Sequence, residues 1–297
     1  MHKSIILGAD IGGSHITVCL VDVLERKIIN DVMVRRNVNS DGNAQEIISQ
    51  WCAAIFELFE NAAFKPLKMG IAMPGPFDYE RGISYIKGLN KYESLYGLNV
   101  KELLAAELDI LPECINILND APCFLQGEVF GGAAKGYKNV IGITLGTGFG
   151  SAIYSDERAR DAEFWQIPFK DSIAEHYFST NWFLNQYQLL TGETLGSVKD
   201  LVAKFPQERT IVKNIFEEFG CNLALFLDKA ITRESPELLV CGGNISKAFD
   251  FFGPSLLSQL KLRNNPILVK TTSLGEQSAL IGAASSWYAG SVVDNLI

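Results

Sequence analysis

The segment Ser4-Ile-Ile-Leu-Gly8-Ala-Asp10-Ile-Gly12-Gly13-Ser14-His15-Ile-Thr-Val-Cys-Leu20-Val21 sets two apolar, β-branched runs on either side of a glycine pair. Ser4 to Gly8 reads as a strand, Asp10 to Ser14 as a tight turn, and Ile16 to Val21 as a second strand. His15 to Leu20 alternates and does not recur at helical spacing. Lys27 to Arg35 reads as a third strand, so the chain starts as an antiparallel meander. A dinucleotide-binding unit needs a helix straight after its glycines, and a strand stands there instead. Glycines let a ligand approach the main chain, and successive N–H groups in such a turn form a concave site for an anion. Gly12, Gly13 and Ser14 are therefore candidate phosphate ligands. Asp10 adds a carboxylate able to hold Mg²⁺, directly or through water.

The same grammar recurs further on. Ala44 to Ala63 carries Ile47, Ile48, Trp51, Ile55, Leu58 and Phe59 at the spacing of an amphipathic helix. Lys68 to Ala72 reads as a strand that ends in the turn Met73-Pro-Gly75-Pro76. Val100 to Leu108 reads as a helix. Ile115 to Leu118 is a strand that delivers Asn119 and Asp120 at its carboxyl end, before a helix over Ala121 to Phe130. Asn139 to Leu145 leads through Gly146-Thr147-Gly148-Phe149-Gly150 into a strand from Ser151 to Tyr154. Ser172 to Leu190, Val198 to Lys204 and Thr210 to Ile231 show helical periodicity. Glu237 to Cys241 is a strand running into Gly242-Gly243-Asn244, Ile267 to Lys270 is a last strand, and Glu276 to Tyr288 a closing helix. Each half of the chain begins with strands joined at a glycine turn, an internal echo that suggests two related domains.

Bulk properties narrow the class. The chain has 297 residues, which suits two domains. The formal net charge of −8 disfavours phosphate backbones, so no nucleic-acid partner is expected. The six cysteines, at 19, 52, 114, 123, 221 and 241, form no CxxC pair and read as reduced thiols of a cytoplasmic protein. No secretory leader and no apolar run of membrane length is present, so no membrane partner is expected.

A single short glycine turn is more simply a tight hairpin than a ligand site. Three in order, with Asp10 ahead of the first, make coincidence a poorer account. Gly146, Thr147, Gly148 and Gly150 are candidates for a second phosphate turn, and Gly242, Gly243 and Asn244 for the close approach of an adenosine. Asn119-Asp120 admits two readings. Phosphoryl transfer to a hydroxyl needs a base for the hydroxyl proton, and a carboxylate at a strand's carboxyl end can serve. Asn and Asp are also favoured helix N-caps.

Taken together, these segments resemble the ROK family of sugar kinases and repressors over nearly the whole chain. Asp10-Ile-Gly-Gly-Ser-His15 resembles its first phosphate turn, Gly70-Ile-Ala-Met-Pro-Gly-Pro-Phe-Asp78 its GIAxPGxxD segment, and Asn119-Asp120-Ala121 its END-A motif. Leu145 to Gly150 resembles the second phosphate turn, Gly242 to Ser246 the adenosine turn, and Gly282-Ala-Ala284 the GAA of the closing helix. The resemblance implies an α/β, actin-like ATPase (ribonuclease H-like) fold, with a mixed five-stranded sheet in each of two domains and a nucleotide cleft between them. The expected division is residues 1–118 with 276–297, and 119–275. It also implies ATP and Mg²⁺ as cofactors, a hexose or N-acylated amino sugar as substrate, and Asp120 as catalytic base. Gly75, Asn90, Asn119, Asp120, Glu163 and Glu175 are implied sugar contacts, although Glu163 and Glu175 also read as solvated surface charge.

Two departures stand out. Gln166 replaces the histidine of the family's ExGH, and Lys170 to Glu175 stands where zinc-binding cysteines would lie, so no structural zinc is expected. Trp165 reads either as lining a sugar pocket or as core. His15 reads as a packing residue and His176 as structural or exposed. The resemblance is compatible with a homodimer. Two rival classes follow from the same family. A repressor would need a DNA-binding helix-turn-helix, and none is expected ahead of a strand that starts at Ser4. A non-catalytic sugar sensor gains weight from the lost histidine and cysteines, and loses it from the intact Asp10, Asp120 and phosphate turns.

Overall fold

The structure, a computed structural model, describes residues 4–62, 64–89 and 91–288. It divides into two compact units, Met1–Gly132 with Glu276–Ile297, and Ala133–Gly275. No helix among the described residues is long and apolar enough to cross a membrane.

The first unit is built on strands β1 (Ile5–Ile11), β2 (His15–Asp22), β3 (Lys27–Asn37), β4 (Met69–Met73) and β5 (Ile115–Asn119), in the order β3-β2-β1-β4-β5. β1, β2 and β3 pair antiparallel, whereas β1, β4 and β5 run parallel. The second unit repeats this plan with β6 (Val140–Leu145), β7 (Phe149–Ser155), β8 (Arg158–Asp161), β9 (Leu238–Gly242) and β10 (Leu268–Thr271), in the order β8-β7-β6-β9-β10. Again the three-strand meander is antiparallel, and β6, β9 and β10 are parallel. Each sheet is thus the mixed five-stranded sheet expected, and the internal echo is a repeat of topology.

Composition explains the inner strands. A parallel strand covered on both faces reads as an unbroken apolar run. β4 (MGIAM) and β9 (LLVCG) are buried at every position. β8 (RARD) is mostly exposed, and charge suits it to a sheet edge.

Helices cover the sheets. In the first unit these are α1 (Ala44–Ala62), α2 (Val100–Leu108) and α3 (Asp120–Gly131). α1 starts from a capping box: the Asn43 and Glu46 side chains each accept from the other's backbone N–H at 3.0 Å. Its Ile47, Ile48, Trp51, Ile55 and Leu58 bury against the sheet, each contributing roughly 1.5–3 kcal/mol of apolar burial. The second unit carries α4 (Ala174–Tyr177), α5 (Thr180–Thr191), α6 (Val198–Ala203), α7 (Arg209–Glu234) and α8 (Phe249–Leu262). Its core is aromatic, with Phe149, Phe178, Phe183, Phe216, Phe219 and Phe252 all buried. α9 (Gln277–Ser285) closes the first unit against α3, β1 and β4.

Three expectations are corrected. The boundary lies at Gly132 rather than at residue 118, because α3 packs on α9 and so belongs with the first unit. The helix expected over Ser172 to Leu190 is broken. Ser172–Ile173 pairs with Pro168–Phe169, and Phe178 and Ser179 leave helical geometry between α4 and α5. The break serves the glycine turn, since the Thr180 N–H and hydroxyl both donate to the Gly146 carbonyl, at 2.7 and 3.0 Å. Finally, α8 forms where no helix is expected, with Pro254 in its interior.

Candidate active site

In the first unit, the candidate residues gather where parallel strands end. Asp10 lies opposite Ala72 in β4, and Met73 lies opposite Asn119 in β5. Gly75 follows β4, and Asp120 follows β5. Asp10 and Asp120 therefore stand two strands apart, about 10 Å laterally at ordinary strand spacing. They are close enough to act on each other electrostatically.

The β1–β2 turn is closed by the Gly12 N–H donating to the His15 carbonyl at 2.9 Å. The N–H groups of Gly13 and Ser14 have no partner among the described residues, as an anion site requires. The fully buried Tyr92 fixes this turn, its hydroxyl donating to the Gly12 carbonyl at 2.5 Å. His15 is not packed in an apolar core as expected. Its ring contacts Ser14 Oγ at 3.3 Å and Arg35 at 3.1 Å, and Arg35 pairs with Glu276 at 3.0 Å. This exposed chain of charges adds little to stability; at Asp10, Arg35 pulls the carboxyl down and Glu276 pushes it up.

Asn119 and Asp120 divide the two roles left open by the sequence. Asn119 is the N-cap of α3: its Oδ1 accepts from the Ala121 N–H at 3.0 Å, and its Nδ2 donates to the Tyr79 hydroxyl at 3.0 Å. Asp120 is the first helical residue. Its Oδ1 accepts from the Ala121 N–H at 2.9 Å, and its Oδ2 has no partner among the described residues. The Asp120 side chain is open to solvent, yet the surrounding protein withdraws enough water to raise its carboxyl above the usual range. The Ala121 N–H and the Lys91 charge pull in the other direction.

Asp10 is pushed up to about 7, first by burial, then by the Asp120 charge, against the pull of Arg35. No hydrogen-bond partner meets its carboxylate among the described residues. A desolvated, unpartnered carboxylate suits a divalent cation, and Mg²⁺ needs only one or two carboxylates besides phosphate and water. The sign of the pH effect follows. The unfolded chain releases this proton near 3.8 and the folded chain near about 7, so between them the folded state binds more protons and stability falls as pH rises. In chelator, the melting temperature is expected to decline across that window less steeply in Asp10→Asn than in the wild type. Parallel curves for the two proteins would contradict this assignment.

The second unit places two glycine turns at the carboxyl ends of adjacent parallel strands, with Gly242 opposite Thr144. Gly146, Thr147 and Gly148 form the β6–β7 turn, whereas Gly150 lies in the ladder opposite Thr144. The Gly146 N–H is taken by the Gly148 carbonyl at 3.0 Å, which leaves the Thr147 and Gly148 N–H groups without partners among the described residues. Glu175 sits on this turn, accepting from the Phe149 N–H at 3.2 Å, and a Cβ on Gly148 would stand 2.8 Å from its Oε2. Gly243 has φ +80°, and a Cβ there would fall 2.3 Å from the Leu145 carbonyl oxygen, so a glycine is required. Asn244 Oδ1 accepts from Lys247 at 2.9 Å.

Glu163 is exposed ahead of the short turn Phe164–Gln166, and its carboxylate has no partner among the described residues. Trp165 is 41% exposed, which removes the core reading. Asn90 lies outside the described residues. His176 is exposed and bonded to Ser172 Oγ at 2.6 Å. Where the family's zinc motif would fall, Tyr177 donates to Asp171 and stacks edge-on against Phe169 at 5.1 Å. Among the described residues, no three His, Cys, Asp or Glu side chains are placed to hold one metal ion. Tyr92, which fixes the first glycine turn, was not legible as a site residue, since it belongs to neither a glycine turn nor an acidic pair.

Comparison with known proteins identifies the family and the fold. The ROK family model matches residues 6–162. The N-acetyl-D-glucosamine kinase of Mannheimia succiniciproducens is 25% identical, over 94% of this chain and 97% of its own length. Among solved structures, the ROK hexokinase of Thermus thermophilus superposes with a TM-score of 0.79 at 16% identity, covering 94% of this chain and 96% of that one. The ROK family glucokinase of Streptomyces griseus, in complex with glucose and AMPPNP, gives 0.78 at 22% identity, covering 95% and 98%. The fold is the actin-like ATPase fold of the ROK sugar kinases. The chain belongs to the ROK family.

Proposed function

We propose that this protein transfers the terminal phosphoryl group of ATP to a hydroxyl of a hexose or N-acylated amino sugar. The observation that carries the reading is Asp120. Its Oδ2 has no partner among the described residues, its carboxyl is raised above the usual carboxylate range by desolvation, and it stands at the same strand ends as Asp10 and the unpartnered amides of Gly13 and Ser14. Curated relatives aligned over 94% of the chain are N-acetyl-D-glucosamine kinases, which favours an N-acetylated amino sugar.

In this mechanism Asp120 Oδ2 accepts the hydroxyl proton as the sugar oxygen attacks the γ-phosphorus. Asn119 holds the start of α3, and with it the base, in place. Its second Nδ2 hydrogen is available to a sugar hydroxyl, as is the Gly75 turn of the same unit; in the second unit, Glu163 and Glu175 are the carboxylates proposed for sugar hydroxyls. In the first unit the free amides of Gly13 and Ser14 are suited to phosphate oxygens; in the second, those of Thr147 and Gly148 are suited to phosphate and the Gly242, Gly243 and Asn244 turn to adenosine. Mg²⁺, when bound, offsets phosphate charge, and Asp10 is the residue to hold it. All six cysteines are free thiols, which supports a cytoplasmic setting.

The test is an ATP-consumption assay over glucose, mannose, fructose and N-acetylated amino sugars. Turnover is expected with at least one sugar, N-acetylglucosamine first. Calorimetric sugar binding without turnover on any of them would overturn the kinase reading in favour of a sensor. The replacement of the family histidine by Gln166 and the loss of the zinc-binding cysteines are the features that favour that outcome.

A further inference from the structure

Lys91 has no part in the roles described so far, and its surroundings are unusual for a surface lysine. It is half-buried, and its ammonium makes no hydrogen bond or ion pair among the described residues. Its stem lies along the first glycine turn, with Cδ 3.5 Å from where a Cβ on Gly13 would stand. Its neighbour Tyr92 is anchored twice. The Tyr92 hydroxyl donates to the Gly12 carbonyl at 2.5 Å, and its N–H donates to the Ser40 carbonyl at 2.9 Å. Lys91 is thereby held at the turn by the fold. The charge also reaches Asp120, whose carboxyl it draws down.

A lysine kept without an anionic partner, between an anion-binding turn and a base, is arranged for an anion that arrives with substrate. We propose that the Lys91 ammonium is a catalytic cation that meets the transferring phosphoryl group beside the Gly12–Ser14 turn. The inference rests on the reading of this site as a sugar kinase.

The step balances as follows. The sugar oxygen forms a bond to the γ-phosphorus while the bond from that phosphorus to the β,γ-bridging oxygen breaks. The electron pair of the broken bond leaves on the nucleoside diphosphate, and the hydroxyl proton passes to Asp120 Oδ2. Lys91 transfers no proton. It donates hydrogen bonds to phosphoryl oxygens whose charge is shared between attacking and leaving groups at the transition state.

The test uses the full chain with ATP and whichever sugar supports turnover. Lys91→Met keeps the stem and removes the charge. It is expected to lower kcat by roughly tenfold to a thousandfold, leaving the sugar KM within about threefold. Lys91→Arg restores a cation and is expected to recover much of that loss, which a lysine serving only as packing would not require. Lys91→Gln is the second neutral variant, read in the same way if Lys91→Met folds poorly. A neutral variant with kcat within about twofold of wild type, or one altered only in sugar KM, overturns the inference and leaves the kinase reading intact. A wild type that consumes no ATP with any sugar overturns both.

Discussion

Asp120→Asn is expected to fold normally, bind sugar and nucleotide nearly as well as the wild type, and lose roughly a hundred- to ten-thousandfold in kcat. The size of the effect depends on which residue caps α3. Were Asp120 the cap, its substitution would loosen the helix and confound any loss of rate. Asn119 is the cap, and Asp120 Oδ1 only shares the Ala121 N–H with it, at 2.9 Å against 3.0 Å. An asparagine side-chain oxygen can keep that contact. What disappears is a proton acceptor at Oδ2, the one atom of the pair left free for substrate. A variant with near-normal kcat would remove Asp120 from the role of base.

The same substitution has a second readout that does not depend on turnover. Asp10 titrates at about 7, partly because Asp120 is negative. A neutral residue at 120 lets Asp10 ionise at lower pH, visible as a downward shift of its carboxyl resonance in a titration. Asp120 itself carries a raised pKa, so its ionised form costs stability above its unfolded value and that cost is present at neutral pH. Asp120→Asn is therefore expected to be at least as stable as the wild type at pH 7. Loss of activity with unchanged or higher stability separates a chemical role from a structural one.

What the sequence disclosed follows from which interactions are local. The β1–β2 hairpin, the Gly146–Gly148 turn and Asn119–Asp120 at the end of β5 are short-range patterns, and residue types alone mark them. The segments that become β4 and β9 were readable as strands, but their parallel pairing within each sheet was not, because it is set by partners distant in sequence. The division at Gly132 was not, because it depends on α3 meeting α9, two segments joined only by tertiary packing. α8 escaped for a local reason. Gly253 and Pro254 disfavour a helix, and it forms because Phe252, Leu256 and Leu260 bury into the aromatic core. Tyr92 and Lys91 carry no motif at all. Their place at the Gly12 turn is set by a hydroxyl 80 residues away in sequence. The site was thus legible where backbone shape makes it and illegible where long-range side chains furnish it.

Gly282→Ala tests the contact that holds the base's helix in place, and its sign discriminates. A glycine inside a helix costs about 1 kcal/mol relative to alanine, so at an open position the substitution would stabilise α9. Here a Cβ would lie 1.8 Å from the Cys123 carbonyl oxygen and 2.8 Å from the Gly127 amide nitrogen, both backbone atoms of α3. The contact is reciprocal, because a Cβ on Gly127 would meet the Ser278 carbonyl oxygen at 2.0 Å. On the other side of α9, Gly70 in β4 faces the Ala283 carbonyl oxygen just as closely, at 2.0 Å. The helix is therefore confined by main chain in both directions and cannot move aside by changing a rotamer. Overpacking of this kind costs about 3 kcal/mol or more, which outweighs the propensity gain. We expect Gly282→Ala to lower the unfolding free energy by about 2 kcal/mol once the propensity gain is subtracted, read as a lower urea midpoint at unchanged slope, and Gly282→Val to yield no folded protein. Hydrogen exchange in Gly282→Ala should quicken first in α3, which begins at Asp120 and is locked to α9 by Ser278 Oγ donating to Glu128 Oε1 at 2.6 Å. A neutral or stabilised Gly282→Ala would mean that α3 and α9 do not pack main chain to main chain, and the placement of Asp120 would lose its support.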